Sequence, residues 1–327
     1  MTAPRIRVAV VGVGEFGRNH ARVYSQLPQA EVVGVVDTDP ARASSVAAEF
    51  GTVALPGIEA LPGRVDAVSV AVPTALHKSI GCTLLGQGLD VLVEKPMAAS
   101  LSEADELISA AHQSKRVLQI GHLERFNPAV VAAEAIMNRP LFFEVHRLGV
   151  FTPRSLDVDV IFDVMIHDLD ILLALVGEKV IDVKAVGIPV VSGKVDIAHA
   201  RLEFESGAVA NVTASRVSTE RVRKMRFFQE HEYVSLDYTR QDALRVRVKQ
   251  PGPQPDFEFE KLTTEPQEPL KAELESFLNA VRTRQNPRVD GTAGRRALEL
   301  AARVAASILE HGKRVQLSEF VSPSPGR

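Results

Sequence analysis

The chain has 327 residues, of which 45% are hydrophobic and 24% are charged, and its formal net charge at pH 7 is −3. This balance is typical of a globular protein of about two domains, and it gives no reason to expect a nucleic acid or a membrane surface as a partner. A single cysteine, Cys82, excludes an internal disulfide and indicates a reducing compartment. We also find no N-terminal secretory pattern and no apolar run near the roughly 20 residues of a membrane helix, so we expect a cytoplasmic protein.

Short apolar runs alternate with helical patterns in the first third of the chain. The runs are residues 6–11, 32–36, 66–72, 90–93 and 117–120, and the helices are about 16–27, 40–50, 74–88 and 101–114. Apolar runs rich in β-branched residues, separated by helices, predict a parallel sheet covered on both faces. We therefore expect a doubly wound α/β domain over residues 1–121.

A glycine pattern lies between the first apolar run and the first helix. Gly12, Gly14 and Gly17 form a G-x-G-x-x-G sequence. Between a strand and a helix, such glycines permit a tight turn, a close approach of the backbone to a pyrophosphate and close helix–strand packing. The helix that starts with Glu15 and Phe16 offers N–H groups to an anion. The pattern predicts a Rossmann dinucleotide site, the simpler alternative being a glycine turn that binds nothing.

An acidic residue follows the second apolar run, about twenty residues after the last glycine. This residue is Asp37. A carboxylate at this place accepts hydrogen bonds from a ribose diol and repels a 2′-phosphate. The sequence therefore favours NAD over NADP as the cofactor.

The remainder of the chain has the pattern of a different domain. Strands are predicted at 142–150, 182–191, 196–205, 208–218, 224–230, 232–237 and 243–249, and two long helices at about 269–285 and 290–311. Alternation of apolar with polar residues in 198–205 is typical of a half-buried antiparallel strand. We expect an α+β domain over 122–317, with a large, mostly antiparallel open sheet, and a disordered tail over 318–327. The open face predicts a homodimer or homotetramer.

Two motifs carry residues suited to catalysis. Glu94-Lys95-Pro96 ends the fourth apolar run, and ligands of open parallel sheets bind at the carboxyl ends of strands. Lys95 could hold a substrate hydroxyl or take part in its proton transfer, although an isolated Glu-Lys-Pro is more often a surface turn. Further along, Asp163 and His167 are four residues apart and share a helix face. A carboxylate beside an imidazole suits a general base.

Alternatives remain open for the second motif. His167 could be a core histidine, while Asp168 and Asp170 could be solvated helix residues. Asp and His one turn apart can also chelate a metal, but no second histidine or cysteine lies near them, and we expect no metal site.

Taken together, these motifs resemble the Gfo/Idh/MocA oxidoreductases over nearly the whole chain. The resemblance rests on the glycine pattern, Asp37, the segment 70–77 with its Val-Pro-Thr turn and His77, the Glu-Lys-Pro motif, the segment 121–128 and the Asp163–Asp168 motif. It implies that Lys95, Asp163 and His167 surround the reacting carbon of a sugar or polyol. It also implies that the nicotinamide half of NAD is contacted by Glu94, Lys95, Val72, Pro73, Thr74 and His77. Many members have Thr-Pro where this chain has Val72-Pro73, which leaves residue 72 only backbone contacts.

The segment Gly-His-Leu-Glu-Arg-Phe-Asn-Pro at 121–128 is most similar to a subgroup that acts on nucleotide sugars. The resemblance implies that the substrate is contacted by His122, Arg125 and Asn127, and an arginine there could grip an anionic group through two hydrogen bonds. Arg125 and Glu124 could instead have a purely structural role. We expect an NAD-dependent dehydrogenase of a sugar hydroxyl, with His167 or Lys95 as the base. A polyol or keto-sugar enzyme and a non-catalytic dinucleotide-binding regulator are the alternatives.

Overall fold

The computed structural model describes residues 4–152, 158–250 and 254–315, so the tail predicted at 318–327 lies outside the described part. The chain forms two compact units. The first takes in the described residues up to Phe126 together with Gln267–Leu298, and the second takes in Asn127–Pro266 and the described residues from Glu299 onward. The sequence had suggested one boundary near residue 121. In the described part of the chain, no helix is both long and apolar enough to cross a membrane.

The first unit is built on a five-stranded parallel sheet in the order β2-β1-β3-β4-β5. Its strands are β1 Ile6–Val11, β2 Ala30–Val36, β3 Ala67–Val70, β4 Asp90–Glu94 and β5 Leu118–Gly121. Every residue of β3, β4 and β5 is buried, as expected for a sheet covered on both faces. The predicted Rossmann domain is confirmed.

Eight α-helices occur in the described residues. They are α1 Glu15–Gln26, α2 Pro40–Phe50, α3 His77–Gly86, α4 Leu101–Ser114, α5 Pro128–Glu134, α6 Ile166–Val176, α7 Pro269–Thr283 and α8 Gly291–Val315. Several begin at a capping side chain, as helices with unpaired N–H groups require. Asp39 caps α2 and Ser100 caps α4.

The helix α7 belongs to the core of the first unit although it is distant in sequence. Its residues Leu274, Phe277 and Leu278 join the same buried cluster as Val8 and Tyr24. The amphipathic pattern of residues 269–285 predicted the helix, but it did not reveal which domain would bury its apolar face.

The second unit contains an eight-stranded sheet in the order β13-β12-β11-β10-β6-β9-β8-β7. Its strands are β6 Phe142–Val150, β7 Val180–Ile188, β8 Ile197–Phe204, β9 Val209–Ser218, β10 Val222–Gln229, β11 Glu232–Asp237, β12 Asp242–Gln250 and β13 Asp256–Lys261. Only β6 and β9 pair in parallel, so the predicted mostly antiparallel sheet is confirmed. The edge strand β13 was not predicted.

Candidate active site

The glycine loop after β1 leaves space where a phosphate would bind. Gly12 has a φ of +81°, and a Cβ there would lie 2.7 Å from the Ala71 carbonyl oxygen. A Cβ on Gly17 would collide with the Gly12 carbonyl oxygen. Around Gly14, by contrast, nothing lies within 4 Å of such a Cβ. Gly14 is also the N-cap of α1 and provides no capping side chain, so the N–H groups of this helix can bind an anion.

Asp37 follows β2 and is tied to the glycine loop. Its carboxylate accepts a 2.8 Å hydrogen bond from the Val13 amide and another of 2.8 Å from the Asp39 amide. The Arg42 guanidinium lies 3.4 Å from the same carboxylate and is about half exposed. A fixed carboxylate at this position suits a ribose diol, so the loop and Asp37 fit an NAD molecule.

The turn after β3 is fixed by the ring of His77. Residues Thr74–Leu76 form a 3₁₀ turn that leads into α3. The buried His77 ring makes a 2.9 Å contact to the Pro96 carbonyl through Nδ1 and a 2.8 Å contact to the Val72 carbonyl through Nε2. Burial lowers the pKa of His77, against the effect of these two carbonyls. Both ring nitrogens are engaged by the main chain, so His77 holds the turns after β3 and β4 together.

Glu94 and Lys95 end β4, and the Lys95–Pro96 peptide is cis. The buried Glu94 carboxylate lies 2.9 Å from His20 Nε2 and accepts a 3.2 Å hydrogen bond from the Lys95 amide. Burial acts to raise its pKa, but the His20 hydrogen bond and the charges of His20 and Lys95 hold the pKa of Glu94 below its ordinary value. Lys95 itself is half-buried. The strand thus delivers a fixed carboxylate and an amine to its carboxyl end.

The segment after β5 holds buried polar residues. His122 is 1% exposed, and Arg125 lies in the short 3₁₀ segment Leu123–Phe126 beside the buried Glu124. Asn127, predicted at the substrate, has a structural contact in the fold. Its side chain caps α5 through Ala129 N–H at 3.1 Å and donates to the Tyr238 carbonyl at 3.0 Å, so its role in this fold is to start α5.

In the second unit, the Asp163–His167 motif lies on a helix of mixed geometry. Residues Ile161–Met165 form a π-helical turn that continues into α6, whereas the sequence had predicted a regular helix. π-turns are rare and are frequent at functional sites. Asp163 and His167 are half-buried, while Met165 and Ile166 between them are buried. The turn therefore presents the two polar groups together at the surface of its own unit.

The two acidic residues that follow His167 are not solvated. Asp168 and Asp170 are 0% and 2% exposed. Arg147 on β6 binds Asp168 with Nε at 2.7 Å and Nη2 at 2.8 Å, and the guanidinium lies over the Tyr238 ring at 5.0 Å from its centroid. A buried two-point ion pair fixes geometry strongly. Arg147 thus anchors the first turn of α6, directly next to His167.

A second network holds the segment that enters the π-turn. The Val160 amide donates to the Val195 carbonyl at 2.9 Å, and the Val195 amide donates to Asp159 at 2.9 Å. Arg216 donates to the Val158 carbonyl at 2.7 Å and to the buried Asp196 at 2.8 Å. The connection between β7 and β8 therefore fixes the segment that leads into the Asp163–His167 motif.

Sequence reasoning missed His20 and Arg147. Each has a recognisable signal, because His20 is a lone polar residue among the buried Gly17, Ala21 and Tyr24 of α1. Arg147 occupies an inward position of β6, two residues after Val145, where an apolar side chain is the norm. A charged or polar residue at an inward position indicates a buried partner.

A Rossmann sheet with an open glycine loop, a fixed carboxylate after β2 and an amine directly after β4 is typical of a dinucleotide-dependent oxidoreductase. The family model for the NAD-binding Rossmann domain of the Gfo/Idh/MocA oxidoreductases matches residues 6–122, and the model for the C-terminal domain of that family matches residues 129–233. The chain belongs to the Gfo/Idh/MocA family and is an NAD-binding oxidoreductase.

Individual relatives agree with this assignment. The chain is 40% identical over 307 residues to UDP-N-acetylglucosamine 3-dehydrogenase of Acidithiobacillus ferrooxidans, covering 93% of this chain and 97% of that protein. A solved structure of that dehydrogenase superposes with a TM-score of 0.88 over 94% of this chain and 98% of its own. The chain is also 30% identical to scyllo-inositol 2-dehydrogenase (NAD(+)) of Bacillus subtilis, over 65% of this chain and 68% of that one. Levoglucosan dehydrogenase in complex with NADH and levoglucosan, 17% identical and covering 94% of this chain and 98% of its own, shares the fold with a TM-score of 0.85.

Proposed function

We propose that this protein transfers a hydride between NAD and the 3-position of a nucleotide sugar such as UDP-N-acetylglucosamine. The observation that carries the proposal is the 40% identity to a UDP-N-acetylglucosamine 3-dehydrogenase over nearly the full length of both proteins. The residues of the site support the same chemistry, since this chain has an amine directly after β4, a carboxylate on the π-turn and an imidazole in the first turn of α6. NAD, when bound, supplies the nicotinamide ring that accepts the hydride.

The protein residues handle the proton and the oxygen. We assign Lys95 to the substrate oxygen, where its positive charge stabilises the negative charge that develops as the proton leaves. His167 or Lys95 removes that proton, and Asp163 orients His167 as a base. Asp168 and Arg147 hold the helix turn on which His167 lies.

The remaining site residues have supporting roles in the proposal. Gly12, Gly14, Glu15, Phe16 and Gly17 form the pyrophosphate loop, and Asp37 binds the adenosine ribose. Val72, Pro73, Thr74 and Glu94 serve the nicotinamide half, with His77 bracing the two turns. His122 and Arg125 contact the substrate, where a guanidinium suits the diphosphate of a nucleotide sugar. Asn127, also predicted at the substrate, acts through the cap of α5.

A free polyol is the second candidate substrate. The supporting observation is the 30% identity to an NAD-dependent scyllo-inositol 2-dehydrogenase over about two thirds of both chains. The two candidates differ in charge, because a nucleotide sugar carries a diphosphate and an inositol is neutral. A comparison of activity with the two substrates therefore distinguishes the two candidate functions.

The test is a measurement of NADH formation with UDP-N-acetylglucosamine, scyllo-inositol and myo-inositol, followed by product analysis. We expect turnover with the nucleotide sugar, and a loss of kcat of about 10²–10⁴-fold in Lys95→Ala and in His167→Ala. Lys184→Ala and His112→Ala are matched controls at exposed positions and should retain activity. Near-normal turnover in both active-site variants would refute the proposed catalytic residues, and turnover of inositol alone would replace the substrate.

We also propose that the protein is cytoplasmic and forms a homodimer or homotetramer through the open face of the second sheet. Directly paired residues on six adjacent strands form an apolar row on that face, namely Val209, Phe142, Phe228, Tyr233, Val246 and Phe259. The rings of Phe142 and Phe228 are 5.8 Å apart, those of Phe228 and Tyr233 are 5.1 Å apart, and Phe259 is 69% exposed. A contiguous exposed apolar surface is typical of a subunit interface.

A further inference from the structure

The carboxylate of Glu94 is enclosed on several sides within the first unit. Oε1 lies 2.9 Å from Nε2 of His20, and Oε2 accepts the Lys95 amide at 3.2 Å. Against the other side packs Gly121, where an added Cβ would lie 2.9 Å from the Glu94 carboxyl carbon. These contacts restrict the Glu94 carboxylate to one orientation.

An ionised carboxylate in this enclosure carries a large desolvation free energy. His20 and Glu94 are 1% and 7% exposed, and a buried carboxylate loses most of its hydration. A glutamine would fill the same volume and keep the backbone contact without this desolvation. The ionised form is nevertheless favoured, because His20 and Lys95 keep the pKa of Glu94 below its ordinary value in spite of burial. The fold thus maintains a negative charge at a place where packing alone does not need one.

We propose that His20 is a positioning residue that holds Glu94 as a fixed carboxylate, and that this charge favours the cationic nicotinamide of NAD⁺ over the neutral ring of NADH. The proposal rests on the proposed place of Glu94 at the nicotinamide half of the cofactor. It assigns a function to His20, which lies on the same helix that begins at the glycine loop. One helix would then serve the pyrophosphate at its first turn and the nicotinamide end through His20.

Other ionisable groups surround Glu94 and must be considered in any dependence on pH. Lys95 follows it on β4, and His77 on α3 interacts with it electrostatically. Glu273 on α7 is fully buried, with a carboxylate oxygen within 4.8 Å of the facing His20 and Glu94 atoms. Tyr24, one turn after His20, is buried beside Ser69, and burial raises its pKa well above the ordinary value. The His20 ring contacts the Glu94 carboxylate through a side-chain hydrogen bond of 2.9 Å.

The experiment compares the dissociation constants of NAD⁺ and NADH, by calorimetry and by NADH fluorescence, between pH 5.5 and 8.5. The two forms differ only at the nicotinamide ring, in its charge and in the hydride at C4, so their ratio cancels damage to the rest of the binding site. His20→Leu removes the hydrogen-bond donor, whereas His20→Gln retains an amide donor of similar reach. Glu94→Gln removes the charge and serves as the reference, and His20→Leu/Glu94→Gln completes a double-mutant cycle.

In the wild-type protein we expect the ratio Kd(NAD⁺)/Kd(NADH) to be low, with no titration attributable to Glu94 in this range. Glu94→Gln should raise the ratio about tenfold at every pH. In His20→Leu, burial raises the pKa of Glu94 and, of the two groups that lowered it, Lys95 alone remains, so the ratio should increase as the pH falls and move toward that of Glu94→Gln. The ratio in His20→Gln should remain close to that of the wild type. In a protein that already carries Glu94→Gln, adding His20→Leu should leave the ratio unchanged.

Two results would overturn the inference. If Glu94→Gln leaves the ratio unchanged, the carboxylate does not act on the nicotinamide. If His20→Leu folds with an unchanged, pH-independent ratio, His20 does not maintain the charge. Both results are independent of the Lys95→Ala and His167→Ala test, so a failure here leaves the proposed reaction standing.

Discussion

The carboxylate of Asp37 holds the glycine loop in place, and we expect it also to determine the choice between NAD and NADP. It accepts the Val13 and Asp39 amides at 2.8 Å each and thereby shapes the glycine loop. It also lies beside Arg42, 3.4 Å from its guanidinium. While the carboxylate is present, it repels the 2′-phosphate of NADP. Without it, Arg42 would be a cation at the place where that phosphate binds.

Asp37→Asn is therefore expected to relax cofactor choice. The amide oxygen still accepts the Val13 amide, while the negative charge is lost. We expect kcat/KM with NADP to rise about tenfold or more relative to NAD, as a phosphate–guanidinium contact replaces a repulsion. Steady-state kinetics with both cofactors measure this, and Arg42→Ala in the same background should remove the gain. An unchanged preference in Asp37→Asn would show that selectivity originates elsewhere.

At the residue scale, the sequence identified groups whose neighbours are near in the chain. The glycines and Asp37 belong to one βαβ unit, so their spacing alone indicates their purpose. His20 and Glu94 are 74 positions apart, and their contact depends on how α1 packs near the end of β4. The sequence analysis also did not predict that Asn127 caps α5, because a cap is recognised from the geometry of the helix start.

The element that carries His167 depends on the connection between β7 and β8. Asp196 in that connection accepts the amides of Val190, Val191 and Ser192 and the hydroxyl of Ser192, all within 2.7–2.9 Å. Burial acts to raise the pKa of Asp196, but these donors hold it well below its usual range. The ionised carboxylate then secures Arg216, which reaches the Val158 carbonyl ahead of the π-turn.

Replacing Asp196 should destabilise the second unit in a pH-dependent way. For Asp196→Asn we expect a loss of about 3 kcal/mol near pH 7, because Arg216 loses its buried partner. The folded pKa is depressed, so the wild-type advantage is fully present above the unfolded pKa of about 3.9, declines below it and is fully lost only as the pH falls through the depressed folded pKa. Urea unfolding between pH 7 and pH 3 would show the two proteins converging in acid. The exposed Asp182→Asn is the control, with a change within about 0.5 kcal/mol.

At the element scale, most helices and strands were predictable, because their hydrophobic periods are clear. The strand β13 was missed, although residues 256–261 alternate phenylalanine with acidic residues. As an edge strand with little burial, it lacks the apolar run that marks an interior strand. The π-turn has no separate sequence signal, because residues 160–166 are all apolar except Asp163, and an extra residue in the turn leaves no visible break in such a run.

At the scale of the whole molecule, the apolar row offers the clearest test of assembly. Substitution of Phe228 by Lys and of Tyr233 by Glu places charges in its centre, where a second copy would have to desolvate them. We expect light scattering to give a multiple of the monomer mass for the wild type and a shift toward monomer for the double variant. Replacement of the exposed His112 on α4 of the first unit by Glu is the matched control, because it lies outside the sheet of the second unit. A wild-type protein that is monomeric at micromolar concentration would exclude the assembly.

The division into two units was only partly predictable. The first unit recruits residues 267–298 after the entire sheet of the second unit. An amphipathic pattern shows that a helix has an apolar face, but several cores within one chain can bury it. The sequence analysis assigned residues 122–317 to one domain because they are continuous in the chain. The compact units of the structure are defined instead by which residues pack together.

The recruitment of α7 also has a consequence for the order of synthesis. When residue 126 leaves the ribosome, the first sheet is complete, but Leu274, Phe277, Leu278 and Val281 of its buried cluster do not yet exist. Translation of the intervening roughly 140 residues at about 5–20 residues per second takes roughly 7–28 s. During that interval the apolar residues of α1 and the sheet that α7 later covers remain exposed to solvent, so the first unit completes its core only after the second sheet has been synthesised.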